Sequence, residues 1–344
     1  MTHSSSPTAR LAVLRSAPAR IGRFPATRVT LRRDHAYTGD AELDAAFSTF
    51  DVVTAVPPGR GGAALVTLMN GITKPLEHSV PAARALLAAG HAVALVETPL
   101  GGRRRASSGG HAGQDLALLA QRGVALDVPF AARTFDGVAR DLAAVVSYVE
   151  AEHGGPEPVG GAGRRVLFGV SFGGLLSAHA FGRDGLGDRL YGAIVTPHLA
   201  TMAGGMVHTA TQFGGVPASV VATGLRMGPL AEAAARRFGG DAAVGAFRFA
   251  RLLDRLAKGG PGVDAFDPLA FASAERPAAF LAGALDPVAP PSAVGDAAVP
   301  WGAPVEVVGG LGHGWFPGPR PSGTPPFGEL CGGWLVRQLA DWSG

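Results

Sequence analysis

The chain has one cysteine, Cys331, and two lysines, Lys74 and Lys258, in 344 residues. A single cysteine excludes an intramolecular disulfide and any cysteine-based zinc site, so nothing here demands an oxidising compartment. Lysine is so scarce that all but two of the 30 basic residues are arginines, and 27 acidic residues leave a net charge of only +3. So small a charge argues against a nucleic-acid partner, which needs basic residues gathered on one face. A continuous apolar run is also lacking. Residues 190–225 contain no Asp, Glu, Lys or Arg, but Pro197, Pro217 and the pairs Gly204-Gly205 and Gly214-Gly215 interrupt them. Such a segment would leave backbone groups unsatisfied in a bilayer, so stable membrane insertion is not expected. It suggests instead a buried strand followed by an irregular apolar covering. Met1 to Pro25 carries Arg10, Arg15, Arg20 and Arg23 where a secretory signal needs an apolar centre, and a cytoplasmic location is the expectation.

What is present is ample core material, with 47 % hydrophobic residues and 51 glycines punctuating them. Length permits one large α/β fold with an insertion or two domains. Residues 1–27, rich in Ser, Pro and Arg, are expected to be a flexible basic arm. Short β-prone runs follow at 28–33, 51–56, 63–69 and 91–97; the last, Ala92-Val93-Ala94-Leu95-Val96, is unbroken, as in a strand covered on both faces. A Gly- and Arg-rich connection is expected from Thr98 to Arg133. A helix opened by Thr134 follows, with Phe135, Val138, Leu142, Val145, Val146 and Val149 on one face. Further strands are expected at 166–168, 190–196, 278–282 and 305–308, and a closing helix at 327–342. Strands alternating with helices imply right-handed crossovers and a mostly parallel sheet with helices on both faces. Two helical patterns, 229–238 and 243–258, have no strand between them, which suggests a helical cap over 199–277 inserted into a core of 28–198 and 278–344.

One segment carries the chemistry: Val166-Leu167-Phe168-Gly169-Val170-Ser171-Phe172-Gly173-Gly174. A strand entering a helix through a sharp turn crowds the backbone, and glycines two before and two after the turn residue relieve it. Ser171 would stand exposed at the positive end of the helix. A serine hydroxyl needs a base to remove its proton and a carboxylate to orient that base. Late in the chain, Gly283-Ala284-Leu285-Asp286-Pro287 follows one expected strand, and Gly310-Leu311-Gly312-His313-Gly314 follows the next.

Together these three motifs resemble the α/β-hydrolase family, from about residue 50 to the C-terminus. The resemblance implies Ser171 as nucleophile in a nucleophile elbow, Asp286 as the acid and His313 as the base, in that chain order. Asp264 and Asp267 are rival acids. It also implies an oxyanion hole from the Phe172 N–H and one N–H of the loop Met69-Asn70-Gly71-Ile72, where most relatives carry His-Gly. The departure leaves Met69, Gly71 and Ile72 open as the second donor. Among other histidines, His179 reads as packed, and His111, His153 and His208 as loop residues.

For substrate, Asn70, Met202, Met206 and Phe213 are candidate contacts. Gly101-Gly102-Arg103-Arg104-Arg105 reads either as a solvated basic loop or as the binder of an anionic ligand group. The expected activity is hydrolysis of a carboxylic ester with a small to medium apolar acyl part, with a small-molecule ester or acyl substrate as partner. No metal or organic cofactor is implied, and self-association into a homo-oligomer is left open. Two other classes share the motifs: an acyltransferase or thioesterase of a biosynthetic pathway, told apart by product analysis with competing acceptors, and a ligand-binding protein on the same fold, told apart by saturable binding with negligible turnover.

Overall fold

The computed structural model describes residues 11–57, 64–72, 74–99, 101, 102, 104, 112–153, 164–213, 227–314 and 322–340. Its sheet comprises β1 (Leu11–Ile21), β2 (Phe24–Arg33), β3 (Thr49–Ala55), β4 (Leu65–Met69), β5 (Ala92–Val96), β6 (Arg165–Val170), β7 (Arg189–Ala193), β8 (Ala278–Gly283) and β9 (Val305–Val308). The spatial order is β1-β2-β3-β5-β4-β6-β7-β8-β9. Pairing is antiparallel from β1 to β5 and parallel from β5 to β9.

Around the sheet stand α1 (Ala41–Phe47), α2 (Val80–Ala88), α3 (Ala112–Gln121), α4 (Val128–His153), α5 (Phe172–Asp184), α6 (Leu199–Phe213), α7 (Pro229–Lys258), α8 (Pro291–Ala298) and α9 (Phe327–Gln338). Side chains of a strand point alternately to its two faces, so β5 serves two cores. Ala92, Ala94 and Val96 pack with Phe135, Val138 and Leu142 of α4. Val93 and Leu95 pack with Leu86 of α2 and Trp334 of α9. Both faces are therefore covered, as an unbroken apolar strand requires. Among the described residues no helix is long and apolar enough to cross a membrane.

Five expectations need correction. The arm over 1–27 does not hold for its described part, since β1 and β2 form an antiparallel hairpin with Ile21 opposite Phe24; residues 1–10 lie outside the described residues. As the edge strand, β1 tolerates Pro18, whose missing N–H would break the ladder of a central strand. The connection from Thr98 to Arg133 contains α3, which packs against α7. The helix expected to open at Thr134 opens at Val128, because Asp127 Oδ1 accepts the Phe130 N–H at 2.9 Å; Thr134 Oγ1 instead donates to the Phe130 carbonyl at 2.9 Å. The irregular covering is helix α6 as far as Phe213, and 214–226 lie outside the described residues. The two helical patterns at 229–238 and 243–258 form one run, α7, broken at Gly240, whose φ of 63° and ψ of −160° are non-helical.

Candidate active site

Ser171 sits between β6 and α5 with φ 53° and ψ −121°, a left-handed backbone conformation unfavourable for a residue with a side chain. The strain is tolerated because the surroundings are built for it. A Cβ at Gly169 would lie 2.3 Å from the Gly173 carbonyl oxygen, and one at Gly173 would lie 2.3 Å from that of Asn70. Any larger residue at either place would push the turn open. Ser171 is also the N-cap of α5, yet its hydroxyl makes no capping bond. It faces His313 instead, with Oγ 2.8 Å from Nε2.

His313 follows β9, and its Nδ1 lies 2.9 Å from Asp286 Oδ2 and 3.1 Å from Oδ1. Asp286 follows β8 and is buried, and its Oδ1 accepts the Val288 and Ala289 N–H groups at 2.8 and 2.9 Å. A carboxylate can only accept, so the imidazole proton is on Nδ1 and Nε2 is left to accept from Ser171. The two loops are tied together: the Ala284 N–H donates to the Val308 carbonyl at 3.0 Å and the Leu285 N–H to that of Leu311 at 2.8 Å. The structure thus brings together three side chains from the carboxyl ends of three parallel strands, where ligands of open α/β sheets bind. Such a chain can deprotonate a hydroxyl as it attacks an electrophile. The rival acid Asp267 accepts from the N–H groups of Leu199 and Leu269 and faces His198, while Asp264 lies in the helical turn Pro261–Asp264.

The loop after β4 abuts the serine. A Cβ at Gly71 would lie 3.4 Å from Ser171 Cβ, and the Gly71 carbonyl accepts the Lys74 N–H at 3.2 Å and the Thr98 hydroxyl at 3.3 Å. Asn70, a candidate substrate contact, is turned into the protein. Its Nδ2 donates to the Pro75 carbonyl at 2.8 Å, and its Oδ1 accepts from Ser79 Oγ at 2.7 Å. Both ends of its amide thus brace the loop. The Phe172 N–H belongs to the first turn of α5, where backbone donors have no intrahelical acceptor.

No family model matches the chain, and no curated protein matches it. Solved structures do. An esterase from Pyrococcus furiosus aligns over 86 % of this chain and 87 % of its own, with a TM-score of 0.52 and 14 % identity. An acetyl xylan esterase from a Thermoanaerobacterium species aligns over 96 % of this chain and 88 % of its own, with a TM-score of 0.53 and 16 % identity. The chain has the α/β-hydrolase fold.

Within this α/β-hydrolase fold a cavity of about 80 Å³ adjoins the residues flanking the serine, lined by Ile72 and Phe172 next to the elbow and by Met202 and Met206 of α6, while Ser171, Asp286 and His313 do not line it. The Phe213 side chain lies outside the described residues. Asn70 and Gly71 do not line the cavity. Tyr37, Phe135, Leu252 and Leu256, which do, carried no separate signal in the sequence; the last three sit at apolar helical positions that read as ordinary core.

Arg104 is neither solvated nor offered to a ligand. It is fully buried, with Nη2 2.5 Å from Asp141 Oδ2 and its guanidinium 4.8 Å above the Phe50 ring; Arg103 and Arg105 lie outside the described residues. Burial alone would lower its pKa, but Tyr37 and Asp141 hold it above the ordinary value. His179 is packed, bonded through Nδ1 to the Phe266 carbonyl at 2.9 Å. His153 ends α4 and His208 lies within α6, not in loops, and His111 is outside the described residues. Burial pushes the Cys331 thiol up, so it stays protonated and unreactive.

Proposed function

We propose that this protein is a serine hydrolase that cleaves carboxylic esters by acyl transfer. The observation that carries the proposal is the 2.8 Å approach of Ser171 Oγ to His313 Nε2 at a backbone-strained elbow. Ser171 attacks the ester carbonyl while His313 takes its proton. The tetrahedral oxyanion is held by the Phe172 N–H and a donor from Gly71 or Ile72, an interaction whose loss typically costs about 10² to 10³ in rate. His313 then gives the proton to the leaving alcohol, and a water deprotonated by the same nitrogen releases the acid. Asp286 keeps the imidazole in one tautomer and stabilises its cation.

The apolar cavity beside the oxyanion donors supports an uncharged aliphatic acyl group, with α6 and α7 acting as a cap over it. The two esterases with the same fold support ester over amide chemistry. A fluorophosphonate probe should label Ser171 and no other residue. In Ser171→Ala both labelling and hydrolysis of p-nitrophenyl acetate should disappear; full hydrolysis in that variant would remove the mechanism.

A further inference from the structure

Resting on the hydrolase proposal, we infer that Tyr37 is the specificity-determining wall of the acyl pocket, pinned there by a buried Arg104–Asp141 pair, and that it restricts the substrate to short straight-chain acyl groups.

The size of the space comes first. A cavity of about 150 Å³ holds a benzene molecule, so the 80 Å³ here has room for roughly three carbon atoms. Acetyl to butyryl esters fit, and longer chains need a wall to move.

The walls differ in how readily they move. Met202 and Met206 are unbranched and adapt to what they touch. Tyr37 is held at every polar group it has. Its N–H donates to Asp44 Oδ1 at 2.9 Å, its carbonyl accepts from Arg133 Nε at 2.9 Å, and its hydroxyl donates to Asp141 Oδ2 at 2.8 Å while accepting from Arg104 Nη2 at 2.5 Å. Arg104 is anchored in turn, donating from Nε to the Phe47 carbonyl at 2.9 Å. Packing closes the remaining directions. The His35 ring meets Tyr37 edge-on at 4.6 Å between centroids, and Gly137 of α4 comes so close that a Cβ there would lie 2.6 Å from Tyr37 Cε1. Rotating the ring away would strip a partner from a buried charge pair, a rearrangement far costlier than moving an aliphatic side chain. The methionines adjust to the shape of a bound chain while keeping their volume, so the length of the pocket is fixed where it meets the tyrosine.

The test is the ratio of kcat/KM for p-nitrophenyl octanoate to that for butyrate. In the wild type the octanoate is expected to be at least about 10-fold poorer, since one surplus methylene in a tight pocket is worth about 10- to 200-fold. Tyr37→Leu should raise the ratio about 10-fold or more, and Tyr37→Phe, which keeps the ring but loses both hydroxyl bonds to the pair, should raise it by less. An equal ratio in wild type and Tyr37→Leu, or octanoate accepted as well as butyrate by the wild type, overturns the inference. Should Tyr37→Leu fail to fold, a crystal structure of the wild type carrying a butyl phosphonate on Ser171 decides. Alkyl carbons against the Tyr37 ring support the wall, and a chain directed elsewhere overturns it. If no ester is hydrolysed and no probe labels Ser171, the hydrolase proposal falls. The wall is then judged by thermal shift with 1-butanol against 1-octanol: protection by the shorter alcohol alone supports it, and equal protection by both overturns it.

Discussion

Two of the buried aspartates, Asp286 and Asp141, sit in opposite surroundings. Asp286 is enclosed at the carboxyl edge of the sheet, takes two backbone N–H bonds, and meets a histidine that faces the serine. Asp141 is enclosed beneath the antiparallel half, within hydrogen-bond reach of Arg104 and the Tyr37 hydroxyl. Burial pushes the Tyr37 phenol far above its usual range, so it remains a donor rather than an acid. The carboxylates are alike; the partners are not. An imidazole can gain and lose a proton near neutral pH and is open on its far side to a substrate, whereas a guanidinium keeps its charge and is sealed in. Access and partner, more than the acid itself, separate a carboxylate that faces a histidine at the sheet's edge from one that is sealed in.

That contrast can be broken experimentally, beginning where it predicts most. Ser171→Ala should lower kcat for p-nitrophenyl acetate by on the order of 10⁶, measured under saturating substrate. Asp286→Asn should lower it about 10⁴-fold with little change in the urea midpoint, because the amide favours the wrong imidazole tautomer. Arg104→Leu should do the reverse, costing about 3 to 5 kcal/mol of stability by leaving Asp141 buried without its main cation. The double variant Arg104→Leu with Asp141→Leu should regain only part of that loss, because it leaves Arg33, whose Nε lies 3.8 Å from Asp141 Oδ1, buried without that carboxylate. If the single variant unfolds in urea like the wild type, the pair is not the structural anchor described here. Asn70→Ala strips Ser79 and the Pro75 carbonyl of partners in the loop after β4, so about 1 to 3 kcal/mol of stability should go together with a fall in kcat.

The smallest effect concerns a histidine enclosed by burial alone. His91 is buried just before β5, and burial lowers its pKa below 6.5. Below pH 6.5 the unfolded chain then binds more protons than the native one, so stability falls as pH falls through that range. His91→Gln should flatten the fall by no more than about 1.4 kcal/mol per pH unit, measured by urea titrations at successive pH values.

Legibility followed locality. The motifs around Ser171, Asp286 and His313 were readable because each is a strand followed by a glycine-bounded turn, a pattern written within ten residues. The unbroken run of β5 announced a strand covered on both faces, and the α4 stripe a helix. The β1 hairpin was not readable. Its sequence is broken by Arg15, Ser16, Pro18 and Arg20, and the strand exists because β2 offers a ladder across a two-residue turn. Nor was the burial of Arg104 or the outcome for Asn70 visible, since an arginine beside two others reads as solvated and an Asn-Gly pair as a plain turn. Their partners lie far off or out of register: Asp141 is 37 residues from Arg104, and Ser79 is nine from Asn70.

Sequence alone nominated residues with the chemistry to act and short segments expected to turn, because backbone sterics and side-chain type work over a few neighbouring positions. Folding decided which aspartate met a histidine and which an arginine, where Tyr37 came to rest, and how much room was left beside the serine. Those outcomes depend on distances between strands and helices remote along the chain, and only the packed sheet sets them.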